Sequence, residues 1–358
     1  MTAALGITGL DRAEHVGTDG FVTTYSARDV ELDHLVTVQV LPPVSGNEEV
    51  LKSYELTLRA LYAKPRHRAI QPIHELGQLI DGRPYVITLG STGRRLADHT
   101  VPFGTEEVVA LGVTLADALA VAHERGVVHG DVRLEHVRVT EQGDVVLGAF
   151  GYDRLARTLR TRRDDLVTSL TNASPEILSG CEPDAAADTW ALACCLHQLL
   201  VGRSPFGLTG VLSLPEIVDR VLHQPLEDLR AAGVADDLAT VLEATLQRDR
   251  SARLTTAASL RLALEGVSRI YGQPREKRLM ADAPIPPPGA AAWPALLIDH
   301  AKPAAPALGM TMPAWPAAGA DRARVADQAR TKRQIVLLLG IAAALLAVLA
   351  VSILSLIR

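Results

Sequence analysis

VVHGDVRLEHVRVTEQGDVVLGAFGY, residues 127–152, holds the pattern from which the rest of the chain can be read. Val137 and Val139 flank Arg138, and Val145 and Leu147 flank Val146, a period of two that marks strands with one buried face. Gln142-Gly143 lies between the two runs and supplies a turn. The pair reads as a β-hairpin, entered through a His129-Gly130-Asp131 loop and left through Ala149-Phe150-Gly151.

Upstream, Glu106 to Glu124 repeats Val108, Leu111, Leu115, Leu119 and Ala122 at three- and four-residue steps, an amphipathic helix that stops at Gly126. Before it, Arg83 to Leu89 reads as a buried strand running into a glycine-containing link, Gly90 to Gly93. Glu48 to Tyr62 predicts a helix with Leu51, Tyr54, Leu58 and Leu61 on one face. His15 to Leu41 predicts strand, turn, strand, turn, strand, with Phe21, Thr23 and Tyr25 alternating, then Val36, Val38 and Val40. Downstream, Asp188 to Leu200 is apolar nearly all round, as a fully buried helix should be.

The bulk properties fit this picture. A chain of 358 residues accommodates two lobes with additions, and 48% hydrophobic against 22% charged residues suits a globular protein carrying one membrane segment. A net charge of −5 offers no clustered basic surface for nucleic acid. The 3 cysteines imply neither a disulfide framework nor a zinc site; Cys194 and Cys195 lie in the apolar helix and Cys181 in a loop, which suits buried thiols in a reducing compartment. Met1 to Gly20 lacks the basic start and apolar core of a secretory signal.

In order and spacing, residues 127–152 resemble the catalytic loop and magnesium loop of bacterial Ser/Thr protein kinases, H-R-D-L-x-x-x-N and D-F-G. The resemblance implies that Asp131 stands at the position of the catalytic base and that Arg133 replaces a lysine that contacts the γ-phosphate. It further implies that Gly130 replaces the arginine gripping a phosphorylated activation loop, that His136 replaces an asparagine on magnesium, and that Ala149 replaces the magnesium aspartate. Val36-Thr37-Val38-Gln39 resembles the V-A-I-K strand, with Gln39 in the lysine position. Gly17 and Gly20 belong to a degenerate glycine-rich loop, with Asp19 and Val22 where further glycines are expected. The ion-pair glutamate position on the first helix falls on Glu55 or Leu58. His129, Phe150 and Gly151 are kept as structural residues.

Further motifs agree with the resemblance. Ser174-Pro175-Glu176 resembles A-P-E. Asp188-Thr189-Trp190-Ala191-Leu192-Ala193 resembles D-x-W-x-L-G, Gly202-Arg203-Ser204-Pro205-Phe206 resembles G-x-x-P-F, and Arg253 resembles the late arginine that pairs with the A-P-E glutamate, Glu176. The segment equivalent to the activation loop, Tyr152 to Ala173, carries Arg154, Arg157, Arg160, Arg162 and Arg163 with Thr158, Thr161, Thr168, Ser169 and Thr171, either a docking or phospho-acceptor segment or a solvated loop.

The replacements matter because phosphoryl transfer is catalysed almost wholly by positioning and charge. Loss of one electrostatic group commonly costs on the order of 10²–10³ in rate. With Gln39, His136 and Ala149 in place of the lysine, asparagine and aspartate, the expectation is a pseudokinase with no metal site, and with ATP and magnesium only under the alternatives. Those alternatives are a weakly active Ser/Thr kinase and an ATP-sensing module without transfer.

From about Gly272 to Ala320 proline and alanine dominate, and Pro284, Pro286, Pro287 and Pro288 cluster, the composition of an extended tether. Trp293 and Trp315 stand out within it. Gln334 to Ile357 is uncharged and long enough to span a bilayer at 1.5 Å per residue. Arg322, Arg324, Arg330, Lys332 and Arg333 precede it and Arg358 follows, which by the positive-inside rule puts the preceding domain in the cytoplasm.

The expected architecture is α+β: a two-lobed protein-kinase-like fold over residues 10–268, with a small β-rich lobe at about 10–90 and a large helical lobe at about 94–268. A Pro/Ala-rich linker with a basic juxtamembrane end follows at 269–333, then a transmembrane helix at 334–357. The expected partners are another protein, such as an active kinase, and the membrane, with no nucleic acid.

Overall fold

The computed structural model describes residues 5–19, 22–31, 33–43, 48–62, 67–89, 94–99, 102–140, 143–152, 170–208 and 213–271. The small lobe is a five-stranded antiparallel sheet in the order β1-β2-β3-β5-β4. Its strands are β1 (Leu10–Asp19), β2 (Val22–Asp29), β3 (His34–Val40), β4 (Ile73–Gln78) and β5 (Pro84–Leu89), with helix α1 (Glu48–Tyr62) between β3 and β4. Alternation along β3 decides which groups face which side. Val36, Val38 and Val40 pack with Ala27, Tyr85 and Ile87 under Leu5, Ile7 and Leu10 of the N-terminal segment. The opposite face, with Leu41 and Val86, packs on Tyr54 and Leu58 of α1 and on Tyr152 from beyond the hairpin. Gln39 lies on that inner face, cross-strand from Val86.

The hairpin forms where the alternation places it, as β7 (Val137–Val139) and β8 (Val145–Leu147), with Val139 opposite Val145. A short strand, β6 (Arg94–Arg95), adds to β7 and completes a three-stranded sheet. Neither β6 nor β4 was expected. Two residues are too few to show a period, and β4 is an edge strand whose side chains are largely exposed, so it lacks an apolar alternation.

The large lobe is built from α2 (Thr105–Glu124), α3 (Pro175–Leu178), α4 (Ala185–Val201), α5 (Leu214–His223), α6 (Asp236–Thr245) and α7 (Ala257–Tyr271). Helix α4 is buried over most of its length, with Trp190, Leu192, Leu196 and Leu199 in the lobe's core. Gly112 lets α2 come close to its neighbours, since a Cβ there would lie 2.7 Å from Leu264 of α7 and 2.9 Å from Leu196 of α4. Helix α7 runs to Tyr271, with Leu260, Leu264 and Val267 buried.

Among the described residues no helix is long and apolar enough to cross a membrane. The expected anchor at 334–357, the tether from Gly272 onward and the segment from 153 to 169 lie outside the described residues, as does Gly20.

Candidate nucleotide and catalytic cleft

The catalytic-loop equivalent is fastened to the core by one carboxylate. Asp188 stands in the first turn of α4, where the helix dipole favours a negative charge. It accepts the backbone N–H of His129 and of Gly130, both at 2.8 Å, and lies 2.8 Å from Nε2 of His123. His129 spans the site beneath. Its Nε2 is 2.8 Å from the Gly148 carbonyl and its Nδ1 accepts from the Asp131 N–H at 3.2 Å, which makes Nε2–H the donor. The ring packs 4.6 Å from Phe150. Desolvation, partly offset by Asp188, pushes the imidazole down to about 4, so it is neutral at neutral pH. These contacts place His129, Phe150 and Asp188 in one buried frame around the loop.

Within that frame Asp131 is engaged. It is 8% exposed, and Arg133, 7% exposed, lays its guanidinium along the carboxylate with Nε 3.0 and 3.1 Å from the two oxygens. The Nη2 of Arg133 is 3.0 Å from Nε2 of His136, whose Nδ1 is 2.8 Å from the Asp131 carbonyl. A carbonyl can only accept, so Nδ1–H donates to it and Nε2 accepts from Arg133. Asp131, Arg133 and His136 therefore form a cycle inside the loop, closed through the main-chain carbonyl of Asp131.

Above the loop, Gln39 of β3 accepts a hydrogen bond from the Tyr152 hydroxyl at 2.7 Å. Tyr54 of α1 packs on Tyr152 with ring centroids 6.0 Å apart. Leu58 is buried on the same side, whereas Glu55 faces outward and pairs with Arg59 at 2.5 Å. The helix thus turns Leu58, and not Glu55, toward Gln39. Gln39, Tyr54, Leu58, Gln71, Thr88 and Ala149 border a cavity of about 10 Å³, space for roughly one water. Ala149 takes φ 61°, a left-handed conformation strained for a residue with a Cβ. Gly151 follows at φ 79°, and a Cβ there would come within 3.2 Å of the Tyr54 ring. Gly17 lies on β1 opposite Thr24.

Farther down, Arg253 donates to both oxygens of Glu176, at 2.7 and 3.1 Å, and its guanidinium lies 4.7 Å over the Trp190 ring. Burial opposes ionisation of Glu176, but hydrogen bonding and charge from Arg253, with the Glu176 backbone N–H and Ser174, together outweigh it and hold the carboxyl below its ordinary range. Tyr54 and Tyr152 were not singled out by sequence reasoning as partners of Gln39. A tyrosine directly after the glycine of Ala149-Phe150-Gly151 was the available signal, but its partner is distant in sequence.

The protein kinase domain family model matches residues 14–263. This two-lobed chain therefore belongs to the protein kinase family. Among its curated relatives, the serine/threonine-protein kinase PknK of Mycobacterium tuberculosis is 29% identical over 268 residues, 74% of this chain and 24% of that protein. The serine/threonine-protein kinase PknL of the same organism is 30% identical over 205 residues, 56% of this chain and 51% of that protein. The chain thus spans about a quarter to a half of the length of these relatives. Among solved structures, the Mycobacterium tuberculosis PknI kinase domain superposes with a TM-score of 0.57 at 21% identity, covering 75% of this chain and 99% of that one.

Kinases of this fold use magnesium and ATP. Magnesium requires oxygen ligands in near-octahedral geometry. Ala149 supplies no oxygen, both ring nitrogens of His136 are engaged, and the Asp131 carboxylate is covered by Arg133. The residues present do not fit the ion.

Proposed function

We propose that this protein is a pseudokinase: a kinase-fold scaffold or allosteric partner in Ser/Thr phosphorylation signalling, tethered to the cytoplasmic face of the membrane by residues 334–357. The observation that carries this reading is the Arg133 guanidinium seated on the Asp131 carboxylate. A catalytic base must reach the substrate hydroxyl within hydrogen-bond distance, and Asp131 presents its oxygens to Arg133 instead. Gln39 adds no positive charge and Ala149 no metal ligand, so developing phosphoryl charge would meet little stabilisation. The partner expected on this reading is an active kinase or a substrate of one.

A second reading, weak Ser/Thr kinase activity, draws support from the retained Asp131 and its His129–Asp188 frame. Two measurements separate them. A thermal shift with ATP, with and without Mg²⁺ or Mn²⁺, should show no metal-dependent rise in midpoint. Radiolabelled phosphotransfer should give no incorporation above that of Asp131→Asn; incorporation that is present in the wild type and lost in a folded Asp131→Asn would overturn the pseudokinase.

A further inference from the structure

Among the described residues no ion pair links the three elements that meet at the back of the cleft, yet they are joined. Gln39 comes from β3, Tyr54 from α1 and Tyr152 from the turn after Gly151. The Tyr152 hydroxyl donates to the Gln39 carbonyl oxygen at 2.7 Å. The Tyr54 ring packs on the Tyr152 ring, centroids 6.0 Å apart and tilted by 49°. Both tyrosines are 5% exposed, and Val22, Leu41, Leu58 and Val86 wall them in. The glycine at 151 lets the backbone pass close beneath the Tyr54 ring.

We propose that Tyr54, Tyr152 and Gln39 form a neutral latch that holds α1 and the turn after Gly151 against the small-lobe sheet. In a kinase whose strand lysine pairs with a helix glutamate, the helix is held by charge, and that hold is open to screening and to competition from phosphate. Here two phenols and an amide make the same connection without charge. Burial pushes both phenols up, so neither ionises near neutral pH. The connection therefore needs no nucleotide, metal or phosphate to form. This holds whether or not Asp131 retains any transfer activity, so its test is separate from the phosphotransfer test.

The test is amide hydrogen exchange on the full chain for wild type, Tyr152→Phe, Gln39→Met and the double variant. Tyr152→Phe keeps the ring and leaves the half-buried Gln39 carbonyl without this donor, and an acceptor left unmatched away from bulk water is costly, whereas removal of both polar ends is nearly neutral. In Tyr152→Phe, amides of α1 should exchange about tenfold faster, with α4 unchanged as the internal reference. In the Gln39→Met background, adding Tyr152→Phe should change α1 exchange little. The proposal is overturned if Tyr152→Phe leaves α1 unmoved, if it speeds α1 and α4 alike, or if its effect is as large in the Gln39→Met background.

Discussion

Asp131 shows how far a single residue's meaning depends on its neighbours. As a letter in a His-x-Asp pattern it denotes a base; in the fold it is the counter-ion of Arg133, with His136 completing the cycle. The distinction has a thermodynamic consequence. An active-site carboxylate held unpaired for chemistry is a strain on the fold, and its removal is often neutral or stabilising. A buried carboxylate that balances a guanidinium is the reverse, because its loss leaves an uncompensated charge. Asp131→Asn should therefore lower the unfolding free energy by about 3 kcal/mol in urea titration, the lower end of the range for breaking such pairs. An unchanged or raised midpoint would mean that the Arg133–Asp131 contact contributes nothing. Replacement of the arginine, lysine, aspartate and asparagine positions was readable directly, because the chemistry of each side chain is a property of the residue itself. The direction in which Arg133 points was not readable, because an arginine on a loop can serve solvent, phosphate or a neighbouring carboxylate equally well.

At the scale of elements, the large lobe is organised on buried histidines as well as on apolar faces. His129 ties the catalytic-loop equivalent to Gly148, and His197 of α4 lies 3.1 Å from the carbonyl of Arg203 through its Nδ1. Desolvation pushes both imidazoles down to about 4 from 6.5. A histidine kept neutral in the fold is protonated more readily when the chain unfolds, so its contribution is fully present above about pH 6.5 and is lost as pH falls toward 4. Over that window the unfolding free energy should decline, by up to about 1.4 kcal/mol per pH unit for each histidine. Urea unfolding of the wild type and of His197→Gln between pH 4 and 7 would check this, the variant showing the shallower slope. Elements with a strong period were legible from the chain alone: the hairpin, the helices at 105–124 and 185–201, and β3. The edge strand β4 and the short β6 were not, since each is defined by the strand it pairs with and not by its own pattern.

For the molecule as a whole, the expected division is a folded domain, a proline-rich tether and an anchor. The tether and anchor rest on composition, hydropathy and the placing of basic residues. The corresponding outcome is simple: the full chain should sediment with membranes and resist extraction by alkaline carbonate, and a chain ending at residue 333 should be recovered in the supernatant. Recovery of the full chain in the supernatant would sink the anchor.

The sequence by itself determined the family-level fold, because the spacing of His129, Asp131, Phe150, Glu176, Asp188 and Arg253 is a one-dimensional record of a three-dimensional frame. It also determined which charged and metal-binding groups are missing at positions 39, 136 and 149. Only the tertiary structure decided what stands in their place. Tyr152 reaches Gln39 across 113 positions of chain, and Leu58 faces the cleft while Glu55 turns to Arg59. Arg133 closes on Asp131. Each of these is a choice among partners of comparable chemistry. Such a choice is made by distance and burial, which come into being only when the lobes pack.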